Sequence, residues 1–77
     1  MSVAVIERKG DLYTVTIVGD FRPVVKSYYT QQGIRNAMRG RGLDLIILKN
    51  VELTEETKRE LDPCLVHSNG KYVEVPA

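Results

Sequence analysis

A chain of 77 residues has room for one domain, spanning 1–77, and its 43% hydrophobic and 27% charged content excludes wholesale disorder. The net charge of +1 and the pI of 7.9 are untypical of a dedicated nucleic-acid-binding domain, where a pI above about 9 is common. A single cysteine, Cys64, rules out an internal disulfide and fits either a reducing compartment or a small buried hydrophobe.

The opening stretch, MSVAVIERKG, has neither a basic leader nor an apolar run long enough for a signal peptide, and the run at 45–48 is far short of a membrane span. A cytoplasmic protein without membrane contact is expected. The same stretch begins a β-hairpin: SVAVIER is rich in branched residues, KGD signals a turn, and LYTVTIV alternates. Tyr13, Val15 and Ile17 fall on one strand face, and Leu12, Thr14 and Thr16 on the other. Gly19-Asp20 breaks the pattern. Pro23 withholds a backbone donor, yet Val24 and Val25 are compatible with a short edge strand that begins after it.

Thr30 is a candidate N-cap for a helix over about 31–39, with Gly40 and Gly42 as its stop. Gly33 inside its first turn costs roughly 1 kcal/mol against alanine. LDLIILKN then reads as a central strand with apolar residues on both faces. In LTEETKRELDP a second helix starts at Thr54 with Glu55 and Glu56 at its positive end. Glu55 stands one turn before Arg59, and Asp62-Pro63 ends the helix. CLVH and KYVEV flank SNG as a second hairpin, with Asn69-Gly70 as the turn. The expected fold is α+β in the order β-β-α-β-α-β-β, with one mixed or mainly antiparallel sheet and two short helices. Its expected core is Val3, Val5, Val15, Ile17, Ile34, Met38, Leu45, Ile46, Ile47, Leu48, Leu61, Leu65 and Val73.

Catalytic and cofactor chemistry find little support. Cys64 and His67 are three residues apart, which on a strand places them on opposite faces and argues against a nucleophilic pair. One Cys and one His fall short of a zinc set, and the acids between 52 and 62 follow helix-dipole logic rather than a calcium loop. GRGLDL lacks the third glycine of a dinucleotide loop and precedes a strand instead of following one. No catalytic residue, metal, cofactor or small-molecule substrate is therefore expected.

Charge is distributed unevenly. From 21 to 43 there is no acid, while Arg22, Lys26, Arg35, Arg39 and Arg41 accumulate; from 51 to 62 acids dominate. On a helical wheel Ile34, Ala37 and Met38 form an apolar stripe. Gln32, Arg35, Asn36 and Arg39 form a contiguous polar face expected to be exposed. Arg35 and Arg39, four apart, repel each other, a repulsion that an anionic partner would relieve. Two readings follow. The first is a small non-enzymatic module acting through protein contacts, its amide and basic residues Gln32, Arg35, Asn36, Arg39, Arg41 and Lys26 meeting an acidic surface on another protein or on a second copy. The second is a nucleic-acid-binding accessory protein that uses the same residues on phosphates and base edges, with Tyr28 and Tyr29 available for stacking.

Overall fold

The computed structural model describes residues 2–66 and 71–75. Its elements are β1 (Val3–Lys9), β2 (Leu12–Val18), β3 (Val24–Tyr28), α1 (Gln31–Met38), β4 (Leu45–Lys49), α2 (Glu55–Leu61), a 3₁₀ turn over Asp62–Cys64, and β5 (Lys71–Val75). The fold is α+β with one five-stranded mixed sheet in the order β3-β2-β1-β4-β5. β1, β2 and β3 pair antiparallel; β4 pairs parallel with β1, and β5 parallel with β4.

The first hairpin follows the alternation and turn expected of it, with Lys9 opposite Leu12. The edge strand after Pro23 also forms. The second hairpin does not. Asp62-Pro63 winds onward into a 3₁₀ turn that buries Cys64, and Leu65 makes a lone parallel bridge to Leu43 in place of a strand. Leu43 N donates to Cys64 O at 2.6 Å and Val66 N donates to Leu43 O at 3.0 Å, which fixes that return beside the start of β4. β5 therefore comes in parallel, the only sense left once the chain has crossed back along α2. The expected turn at Asn69-Gly70 and His67 lie outside the described residues.

Both helices cover one face of the sheet, and the connections explain why. The chain passes from β3 over β2 and β1 to β4 through α1, then from β4 to β5 through α2. Both crossovers join strands of the same sense and move in the same direction across the sheet. The strong preference for right-handed crossovers then assigns both helices to the same side. The core lies between them: Ala4, Ile6, Val15, Ile17, Ile46 and Leu48 from the strands, Ile34 and Met38 from α1, and Leu61 from α2. The expected core is thus correct for β2 and the helices. On β1 it chose the wrong face, since Ala4 and Ile6 are buried and Val3 and Val5 are half-exposed. Among the described residues β4 is covered on one side only, by way of Ile46 and Leu48, and Leu45 and Ile47 are partly buried.

Two local features set the tilt of α1. Gly33 lies so close to Tyr28 that a Cβ there would be 2.5 Å from the ring, so glycine lets the first turn sit on the end of β3. Gly40, at φ +79°, turns the chain out of the helix in a conformation that other residues adopt at a cost. Thr30 has the extended backbone of an N-cap but makes no side-chain cap bond. Thr54 does make one, accepting from Thr57 N at 3.2 Å.

Candidate functional site

One residue of the polar face of α1, Arg35, is turned inward toward α2, while Gln32, Asn36 and Arg39 stay exposed. Arg35, expected in solvent, keeps only 10% of its side chain exposed. Its Nη1 donates to Thr57 Oγ1 at 2.9 Å, and its Nη2 donates to Gln32 Oε1 at 2.6 Å. Its Nε lies 2.8 Å from Glu60 Oε2 as an ion pair, although the N–H is not directed into a hydrogen bond. Thr57 is fully buried and shares a 2.8 Å hydrogen bond with Thr54 Oγ1. Arg39 joins the cluster from the exposed side, 3.5 Å from Glu60.

The repulsion between Arg35 and Arg39 is therefore relieved inside the chain, by Glu60 lying between them. The sequence expectation of one contiguous exposed basic face is corrected accordingly: Arg35 is an interhelical tie. Gln32 is held by Arg35 and donates through Nε2 to Asn36 Oδ1 at 3.1 Å, so these two remain on the surface as a hydrogen-bonded pair. Gln31, not singled out from the sequence, completes the joint. It donates to Glu52 O at 2.9 Å and accepts from Thr54 N at 3.0 Å. No pattern in the sequence marks a glutamine for that role. Glu55 and Arg59 make no ion pair among the described residues and both lie in solvent.

Arg22, Lys26, Arg39, Arg41 and Arg59 gather at one end of the molecule. Arg41 donates from Nε to Ala37 O at 3.0 Å, folding back on the C-terminal turn of α1. It borders three hollows, shared respectively with Lys26, with Arg22, and with Arg39 and Arg59. Phe21, 90% exposed, stands at the same end. Both helices point their C-termini there, so part of this charge answers the negative ends of their dipoles. The hollow that Lys26 shares with Tyr28, Ala37 and Arg41 has a volume of about 40 Å³, room for little more than a water molecule.

The sheet face away from the helices carries a different pattern. Register places Val25, Thr16, Val5, Ile47 and Val73 in one row across all five strands. A second row reads Val18, Val3, Leu45 and Lys71, and a third Ser27, Thr14, Glu7, Lys49 and Val75. No described helix or loop lies over these rows. Val25 is 60% exposed and Val18 45%, with Val3, Val5, Leu45, Ile47 and Val73 half-exposed. A sheet face that ends in water normally carries polar side chains. Here two adjoining rows are mostly branched and apolar.

No family model, curated protein sequence or solved structure matches this chain.

Cys64 offers no ready nucleophile. Its thiol is buried and donates to Met38 O at 3.1 Å, and burial raises its pKa above 9.0 despite a backbone hydrogen bond from Arg41. Tyr72 is likewise fixed in its neutral form, pushed up first by burial and then by donating to Asp62 Oδ1 at 2.8 Å, a carboxylate that also disfavours a phenolate. Among the described residues no group of three His, Cys, Asp or Glu side chains converges as a metal site, and no helix is long and apolar enough to cross a membrane.

Proposed function

We propose that this protein is a small non-enzymatic interaction module that acts through protein contact at the open face of its sheet. The observation that carries the reading is the row Val25–Thr16–Val5–Ile47–Val73 with its apolar neighbour row and no covering layer. Strands about 4.8 Å apart and five to seven residues long at roughly 3.3 Å each give this face some 400–550 Å². Its two apolar rows take up about two-thirds of that, roughly 300 Å², a size at which the largest apolar patch of a monomer is often functional. A cytoplasmic setting goes with the proposal, since the one cysteine is a free, buried thiol. The test is site-specific photo-crosslinking in cells, with a photoreactive residue at Thr16 or Val25 on the open face and at Gln32 on the helix side. Protein adducts from the two sheet positions and not from Gln32 are expected. Equal yields from both sides, or none from the sheet, would overturn the reading.

One observation favours a second reading, contact with nucleic acid: Arg41 stands among Arg22, Lys26, Arg39 and Arg59 beside the exposed ring of Phe21. Phosphate contacts would fall to Arg41, Arg39 and Lys26, with Arg35 tied up by Glu60. Fluorescence anisotropy with single- and double-stranded DNA and RNA at two salt concentrations decides it. Binding whose log affinity falls linearly with log salt, and whose slope flattens in R39A/R41A, supports the reading. Flat traces at low salt remove it.

A further inference from the structure

We infer that the protein covering the open sheet face is a second copy of this chain, related by a two-fold axis that runs along the strands between β1 and β4. The inference rests on the reading of that face as a protein-contact surface. Such an axis lays each β1 over the β4 of the other copy, as in aligned sheet-on-sheet packing with the layers about 10 Å apart. Level by level, the face is complementary to itself under that operation. Val3 stands opposite Leu45 of the second copy, Val5 opposite Ile47, and Glu7 opposite Lys49, because the register puts the members of each pair side by side on β1 and β4. Glu7, whose Oε1 also lies 3.7 Å from Lys9 Nζ, and Lys49 are charges of opposite sign at one level, so the two-fold brings each Glu7 opposite a Lys49 of the other copy. An isologous contact requires that kind of self-complementarity.

The alternatives within the same face are less well matched. A shift of the axis onto β1 would set Glu7 against its own copy, and like charges placed opposite each other are unfavourable. Pairing through the β3 edge has to accommodate Pro23 just before the strand and Lys26 in its middle, features that protect edges from such pairing. Area sets the strength. Four strands of each copy, β2, β1, β4 and β5, face each other across this axis, with β3 outside the contact, so the dimer buries roughly 650–900 Å² in all, below the ~1,000 Å² floor of a stable specific interface. The dimer is therefore weak, with a dissociation constant expected above about 1 µM and little dependence on salt, since the apolar rows carry most of the contact.

The experiment is sedimentation equilibrium of the full chain from about 1 µM to 500 µM, a range set around the expected constant, with far-UV circular dichroism confirming the fold of every variant. Wild type should pass from monomer to dimer across that range. Val5→Lys, which places a charge at the middle of the contact, should weaken association by at least about 100-fold. Thr16→Lys serves the same purpose should Val5→Lys not fold, because Thr16 faces away from the core. Glu7→Lys and Lys49→Glu should each weaken the dimer several-fold, and E7K/K49E should restore it. A wild-type chain that stays monomeric at 500 µM overturns the inference, as does a dimer unchanged by both Val5→Lys and Thr16→Lys, or a double charge swap that fails to rescue. A monomer whose Thr16 and Val25 positions still crosslink to another protein would refute the second copy while leaving the contact-surface reading intact.

Discussion

Replacing Arg35 by alanine separates an interhelical tie from a solvent-exposed helical arginine. The guanidinium loses two charge-assisted hydrogen bonds, to Thr57 and Gln32, and the 2.8 Å ion pair with Glu60. A hydrogen bond involving a charged group is worth about 1.5–3 kcal/mol, with the upper values reserved for cases that strand a buried partner. None is stranded here. Thr57 keeps its bond to Thr54, Gln32 is exposed, and Glu60, with 39% of its side chain in water, keeps Arg39. The bond to Gln32, which is in water, counts for little, so the loss is expected near the lower end for the single bond to Thr57, about 2 kcal/mol once the packed stem of the arginine is included. In a domain this small that corresponds to a fall of roughly 8–16 °C in Tm. Glu60→Ala should cost a comparable amount by leaving a nearly buried cation without its counter-charge, less than the ~3–5 kcal/mol of a fully buried pair because Glu60 is partly solvated. Urea unfolding followed by circular dichroism, at one low protein concentration to keep self-association out of the comparison, measures both variants and the double mutant. A coupling energy of about 1 kcal/mol or more is expected from groups in direct contact. A cost for Arg35→Ala within ~0.5 kcal/mol of zero, the range of ordinary surface substitutions, would refute the tie.

The other stability predictions are narrower. Thr54→Ala should cost about 1 kcal/mol by removing a working N-cap, whereas Thr30→Ala, with no cap bond to lose, should cost much less in the same urea titration. Gly33→Ala should destabilise despite the gain of up to ~1 kcal/mol in helix propensity, since the new methyl meets the Tyr28 ring; an increase in Tm would show that α1 does not press on β3. Stability should hold up to about pH 9 and decline above it, because Cys64 and Tyr72 both have raised folded-state pKa values and ionise more readily in the unfolded chain. Tyr72→Phe should remove the part of that decline that sets in above the ordinary tyrosine pKa of 10.0, read as a shallower fall in unfolding midpoint with pH.

What could be read from the sequence divides along physical lines. Alternation in LYTVTIV, the Ile34–Met38 stripe and the Thr54 cap are local signals, and local geometry obeyed them. The misread face of β1 shows where such signals end. VAVI is apolar at every position, so periodicity assigns no face, and Ala4 is buried ahead of the larger Val3 and Val5 because the register with β2 puts it beside Ile17. The inward turn of Arg35 was out of reach for a similar reason. Its partners Thr57 and Glu60 lie 22 and 25 residues on, and only the packing of α1 against α2 brings them within bonding distance.

The open face follows from the same ordering of connections. Once β3 leads through a helix to β4, and β4 through a helix to β5, both moving the same way across the sheet, handedness commits both helices to one side. Among the described residues Leu45 and Ile47 then have no second layer to pack against. In a chain with a helix on each face they would be core residues; in this one they are apolar side chains directed at whatever arrives from outside. Under the proposed dimer their burial would come from the second copy, with the Glu7–Lys49 level beside them.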